Sequence, residues 1–83
     1  MSVRVSVRLF ASLRDAAGVD RVELELAAPA TAHAAWTALA ARHPALAPMR
    51  VSLAAAINRR YARFDEPLAD GDELAFIPPV GGG

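Results

Sequence analysis

The strongest constraint in the sequence is a strict alternation of apolar and polar residues near its start. From Val3 to Leu9 every odd position carries valine or leucine, and arginine or serine fills the even ones. Successive side chains of a strand point to opposite faces, so this period of two predicts a strand with one buried face. Phe10 is at the next even position, so its side chain is also predicted to point away from the core. An aromatic side chain at an outward position makes Phe10 a candidate interface residue.

Two further segments have strand patterns. Residues Arg21 to Leu26 alternate again, and a short helical turn that stops at Gly18 connects them to the first strand, which favours an antiparallel pair. Residues Leu74 to Ile77 are few and wholly apolar, which is typical of a strand at the centre of a sheet. The apolar first and last strands are therefore predicted to lie side by side and parallel.

One long helix is predicted between these strands. Thr31 is a suitable N-cap, because its hydroxyl can accept a hydrogen bond from an unpaired amide. Apolar residues then recur at helical spacing, and Trp36 on that stripe is assigned to the core. His43 precedes a proline and should end the helix. A loop around Pro48 follows, then a strand over 53–57 that is also compatible with helix, and a short partner strand over 61–64. The order of elements predicts an α+β domain with one main helix on a mixed sheet of four to five strands.

Composition excludes several kinds of protein. The 83 residues suit one small domain, and the absence of cysteine excludes disulfides, thiolate metal sites and thiol nucleophiles. Nine arginines balance nine acidic residues, so no net charge favours nucleic acid or a membrane surface. The two histidines have no ligands at metal-binding spacing, and the acidic residues between 65 and 73, with Pro67 and Leu68, are assigned to turns. With no leader or membrane-length segment, we expect a cytoplasmic protein.

The sequence finishes with Gly81, Gly82 and Gly83, which follow Pro78 and Pro79. The prolines offer no N–H to a neighbouring strand, and glycine has no Cβ, so such a tail can enter a slot too narrow for other residues. We expect a folded domain over 1–77 and a flexible tail over 78–83. No catalytic motif is present elsewhere, which leaves a terminal carboxylate that an ATP-dependent partner could convert into an adenylate. A frayed end, or residues left by cloning, is the alternative.

Three blocks of the sequence resemble the molybdopterin synthase small subunits, the MoaD family. These blocks are LFASLRDAAG over 9–18, AIN over 56–58, and PLADGDELAFIPPVGGG over 67–83. The wider group is the ubiquitin-like β-grasp sulfur carriers, which include ThiS of thiazole synthesis, so the resemblance implies a β-grasp fold. Gly81 departs mildly from the family pattern, in which serine, threonine or alanine is common at that position.

The resemblance also implies a function. An E1-like, MoeB-type enzyme would use ATP to adenylate the Gly83 carboxylate, and a sulfur donor system would convert it into a thiocarboxylate. Gly81 and Gly82 would thread through the partner sites, and the tail would enter a MoaE-like large subunit that binds the pterin precursor. The chain would be a non-catalytic subunit with no permanently bound cofactor. A carrier for thiamin, cysteine or tRNA thiolation, a protein modifier, and an inert interaction module remain alternatives.

Strand parity predicts a docking surface at the root of the tail. The alternation of the last strand places its outward residues on the same face as Phe10, and an apolar patch on a small domain usually marks an interface. The predicted partner-binding residues are Phe10, Ala75, Ile77, Pro78 and Pro79. In the alternative interpretation, Phe10 folds over the helix and caps the core.

An arginine cluster is predicted near the edge hairpin. Arg59, Arg60 and Arg63 lie close together in the sequence, around the turn and the short strand that follows it. They either contact an acidic partner surface or form a solvated edge that discourages strand pairing.

Overall fold

A five-stranded sheet and one long helix form the body of the fold in the computed structural model, which describes residues 1–79. The helices are α1 (Ala11–Ala17) and α2 (Ala32–Arg42), followed by a 3₁₀ helix (Pro44–Arg50). The strands are β1 (Ser2–Leu9), β2 (Arg21–Ala27), β3 (Ala30–Thr31), β4 (Ala54–Ile57), β5 (Arg60–Ala62), β6 (Pro67–Leu68) and β7 (Glu73–Ile77). None of the helices in residues 1–79 is long and apolar enough to cross a membrane.

The strand order of the main sheet is β2-β1-β7-β4-β5. Strand β1 pairs antiparallel with β2 and parallel with β7, while β7 pairs antiparallel with β4. This confirms the predicted α+β fold and the parallel pairing of the first and last strands at the sheet centre. Both central strands are covered on one face by α2, so their inward residues are apolar.

A second sheet was not indicated by the sequence. Strands β3 and β6 have two residues each, and they pair through Ala30 with Leu68 and Thr31 with Pro67. The assignment of Pro67 and Leu68 to a turn was therefore wrong. Two residues are too few to show a period of two, and the pairing joins segments that are far apart in the chain.

The ends of the helices follow the sequence signals. Gly18 ends α1 in the left-handed conformation with φ of 78°, and its N–H donates to the carbonyl of Arg14. The Thr31 hydroxyl accepts a hydrogen bond from the amide of Ala34 at 3.1 Å, as an N-cap does. Helix α2 then ends before Pro44, with His43 as its C-cap.

The core lies between α2 and the inner face of the sheet. Val5 and Val7 of β1 are almost completely buried there, and the ring of Phe76 from β7 lies between the aromatic rings of Trp36 and Phe64. The buried side chains of residues 1–79 are all apolar. The 3₁₀ helix, where the sequence predicts a loop around Pro48, adds fully buried Leu46 to the same core.

Candidate functional site

The sheet face that points away from α2 carries several of the predicted partner-binding residues. In the strand register Arg8 is opposite Ala75, Ala75 is opposite Ala56, and Ala56 is opposite Tyr61. This row crosses four strands, and its two middle positions have the smallest side chains that a strand commonly carries. The outer face is therefore low at its centre, where the two alanines lie, and the longer side chains on both sides rise above it.

A depression of about 110 Å³ lies at this place. Its lining consists of Arg8, Phe10, Ala56, Arg59, Glu73 and Ala75. Phe10 is 41% exposed and lies between β1 and α1, outside the buried core, so it does not cap the core. The structure thus brings Phe10 and Ala75 together. Ile77 continues on β7 opposite Ala54 and is half-buried, and beyond it Pro78 is half-buried and Pro79 exposed.

Two arginines flank one carboxylate in the depression. Arg8 Nη1 lies 3.4 Å from Glu73 Oε2, and Arg59 Nε lies 3.8 Å from Glu73 Oε1. The guanidinium carbon of Arg8 is also 5.7 Å from the ring centroid of Phe10. The three charged groups leave an excess of one positive charge. The sequence assigned Glu73 to a turn, and this was wrong, because Glu73 is the first residue of β7. Its contact with Arg8 was missed, since only the register of β1 against β7 shows that the two are neighbours.

Arg59 reaches the depression from a tight turn. Ile57 pairs with Arg60, so Asn58 and Arg59 form a two-residue hairpin loop in which φ is 51° and 70°. The Asn58 side chain donates to Asp72 Oδ1 at 2.8 Å and accepts from the amide of Glu73 at 3.0 Å. These two hydrogen bonds hold the turn beside the start of β7.

The predicted arginine cluster does not form one surface. Arg59 flanks the depression, whereas Arg60 alternates with Tyr61 along β5 and so points to the other face of the sheet. Arg63 follows β5 and pairs with Asp65 at 3.1 Å. Of the three, only Arg59 lines the depression.

Next to the depression, the outer face carries a polar network. Ser6 is opposite Glu23 in the β1–β2 pair, and its hydroxyl donates to the Glu23 carboxylate at 2.7 Å. This hydrogen bond, with the neighbouring charge of Arg21, holds the pKa of Glu23 below its usual value.

Among residues 1–79 there is no group of three or more histidine, cysteine or acidic side chains placed to hold a metal ion.

The fold and the outer face define a ubiquitin-like β-grasp protein. A mixed five-stranded sheet holds one long helix, and the last strand, β7, lies at its centre with Glu73, Ala75 and Ile77 on its outer side. The sequence model of the ThiS family matches residues 7–83, and the chain belongs to that family.

Individual relatives agree with this assignment. The chain is 42% identical to the molybdopterin synthase sulfur carrier subunit of Escherichia coli (strain K12), over 95% of this chain and 99% of that protein. Among solved structures, small archaeal modifier protein 1 of H. volcanii superposes with a TM-score of 0.88 at 32% identity, over 94% of this chain and 99% of that one. A putative molybdopterin converting factor subunit 1 from Pyrococcus furiosus superposes with a TM-score of 0.84 at 34% identity, with coverage of 94% and 99%.

The predicted reactive residues lie at the end of the chain. Gly81, Gly82 and Gly83 are outside the described residues, so their assignment to the reactive tail stays a prediction. The family match nevertheless extends through all three glycines.

Proposed function

We propose that this protein is the sulfur carrier subunit of a molybdopterin synthase and acts in molybdenum cofactor biosynthesis. The observation that carries the proposal is the family match, which continues to residue 83 and includes the glycines. The near full-length similarity to the Escherichia coli sulfur carrier subunit supports the same pathway. The fold is consistent with this role, because β7 ends at Ile77 and Pro78 leads the chain out of the sheet.

The proposed reactive group is the carboxylate of Gly83. On an E1-like, MoeB-type enzyme, a carboxylate oxygen attacks the α-phosphorus of ATP, and pyrophosphate leaves. A sulfur nucleophile of the hydrosulfide class then displaces AMP from the glycyl-adenylate and leaves a thiocarboxylate. ATP belongs to the activating enzyme in this scheme, and the chain holds no permanent cofactor. Glycines at the two preceding positions let the tail enter a narrow catalytic slot.

The proposed acceptor is a MoaE-like large subunit. The tail enters its active site, where sulfur passes to the bound pterin precursor, while the outer face around Phe10, Ala75 and Ile77 docks on the subunit surface. The small subunit supplies no catalytic side chain and acts as the sulfur donor. Because the activation step consumes ATP, we place the reaction in the cytoplasm.

Intact-mass spectrometry tests the carrier function directly. The chain is incubated with the activating enzyme, ATP and a sulfide source, and the expected mass gain equals one oxygen replaced by sulfur. Deletion of Gly83 should remove the gain, and so should one alanine appended after it, because each variant moves or replaces the carboxylate. A wild-type chain that gains no mass would refute the carrier function and favour an inert interaction module.

Protein modification is a second candidate, because small archaeal modifier protein 1 of H. volcanii has the same fold at 32% identity. In this case a lysine of another protein, rather than sulfur, would attack the activated Gly83. The chain contains no lysine, so its copies cannot be joined to one another through lysine side chains. Covalent adducts that survive denaturation and contain a Gly83–lysine isopeptide bond would support this candidate, and their absence beside a thiocarboxylate would support the sulfur carrier.

A further inference from the structure

We propose that Arg8 and Arg59 form a receptor for one aspartate or glutamate side chain of the large subunit. Glu73 occupies this receptor in the free protein, and the carboxylate of the partner displaces it on docking. The inference rests on the proposed function, because it assigns a specific contact to the docking surface of the sulfur carrier. Three independent features of the structure support it.

The first feature is the looseness of the ion pairs. Each oxygen of Glu73 meets one guanidinium, at 3.4 Å from Arg8 and 3.8 Å from Arg59. Strong arginine–carboxylate pairs are about 2.7–2.9 Å long and often bidentate. Each guanidinium has five N–H donors, so most of them remain free to bind a second carboxylate. The excess of one positive charge is consistent with a site that attracts an anion.

The second feature is the space beside these charges. The sheet carries only Ala56 and Ala75 at the floor of the depression, and its volume of about 110 Å³ can take the end of one side chain. Phe10 forms an apolar wall. When a partner covers the depression, water leaves it and the attraction between the guanidinium groups and a carboxylate increases.

The third feature is the backbone at Arg59. It is the second residue of a two-residue hairpin loop, with φ of 70°, where glycine is strongly preferred. Its side chain is 89% exposed, and within residues 1–79 its ion pair is the long contact with Glu73. A non-glycine residue in the left-handed region is strained, and such strain is concentrated at functional sites.

The neighbouring positions favour a protein carboxylate over a nucleic-acid phosphate. Arg8 lies directly opposite Arg21, whose charge is balanced by Glu23 at 3.3 Å, so the excess positive charge of the site is that of Arg8 and Arg59 over Glu73. The chain has no net charge, which does not favour a nucleic acid, and the half-exposed Phe10 lines the site with an apolar ring. One excess positive charge beside the ring of Phe10 and two alanines fits a single acidic side chain better than a row of phosphates.

The variant Arg59→Gly separates binding from folding, because glycine relieves the strain of the turn. We expect its midpoint of thermal unfolding to rise and its affinity for the purified large subunit, measured by isothermal titration calorimetry, to fall roughly tenfold. The matched control Arg60→Gln removes one positive charge on the other face and should change the affinity less than twofold. An Arg59→Gly chain that binds within twofold of wild type overturns the proposal.

Two further measurements identify the role of Glu73 and the partner group. Glu73→Gln removes the carboxylate that competes with the partner, and it should tighten binding about threefold. Weaker binding would mean that Glu73 is itself a contact or a structural support, and it would overturn the proposal. Arg59→Glu should weaken binding, and replacing one acidic residue of the large subunit by arginine should restore the affinity. Failure of every such replacement to restore it would also overturn the proposal. The mass gain of the wild-type chain, which needs no large subunit, tests the carrier function separately.

Discussion

The ring of Phe76 packs edge-on against the indole of Trp36, with ring centroids 5.0 Å apart and ring planes inclined at 79°. This contact joins α2 to β7, the strand that leads to the predicted tail. Phe76 also stacks on Phe64 at 5.7 Å, so one ring connects three segments that are distant in the sequence. The position of β7, and with it the outer face around Ala75, therefore depends on this aromatic cluster.

Phe76→Leu is expected to lower the free energy of unfolding by about 2 kcal/mol, because leucine leaves space in the core and loses both ring–ring contacts. Urea unfolding measures the change. The control Phe10→Leu alters a half-exposed ring outside the core and should change the free energy of unfolding by less than about 0.5 kcal/mol. Equal losses in the two variants would contradict the assignment of Phe76 to the centre of the core.

Removing the N-cap of α2 should destabilise the domain. Thr31→Ala deletes the hydroxyl that accepts from the Ala34 amide, and it should lower the free energy of unfolding by about 1 kcal/mol, while Thr31→Ser should retain most of it. Thr37 is a matched control. Its exposed hydroxyl donates to the carbonyl of His33, and that carbonyl can still accept a backbone hydrogen bond of the helix when the hydroxyl is removed. The prediction fails if Thr37→Ala costs as much as Thr31→Ala in chemical unfolding.

Acid should weaken the β1–β2 pair through Glu23. Its pKa is lowered in the folded protein, chiefly by the hydrogen bond from Ser6, so the ionised carboxylate stabilises the fold above the ordinary carboxyl pKa. That contribution is lost as the pH falls through the lowered pKa. In Ser6→Ala, NMR titration should show the pKa of Glu23 moving back up toward its usual value. The control Ser2→Ala should leave the titration of Glu23 unchanged, and an unshifted Glu23 in Ser6→Ala would contradict the assigned cause.

Charge on the apolar part of the outer face should prevent docking of the large subunit. Phe10→Asp or Ile77→Asp places a carboxylate in a surface that must lose water on binding, so affinity measured by surface plasmon resonance should fall by at least tenfold. The circular dichroism spectrum should remain that of the wild type. Val51→Asp is the matched control, since Val51 is 80% exposed and does not line the depression. Unchanged binding of Phe10→Asp would remove this face from the docking surface.

Local pattern was sufficient for most of the elements. The alternation in β1, the N-cap at Thr31, the stop at Gly18 and the proline after His43 act over a few residues, and the structure places each where the sequence indicates. The central pairing of β1 with β7 was also predictable, because both strands are too apolar for an edge. The pairing of β3 with β6 was not predicted, since two residues cannot show a period, and the 3₁₀ helix was not predicted because Pro44 and Pro48 are typical of a loop.

The sequence by itself determined the fold class, the apolar face of the helix that carries Trp36, and the family to which the chain belongs. These depend on residue type and spacing along the chain. Strand parity also placed Phe10 and Ala75 on one face, whereas only the tertiary structure decided which charged residues lie beside them. Arg8 and Glu73 meet because β1 and β7 pair in one particular parallel register, and Arg59 joins them because a strained turn points its side chain toward β7. A shift of that register by two residues would keep the faces of β7 but change which outward residues are neighbours, so the alternation alone does not determine this site.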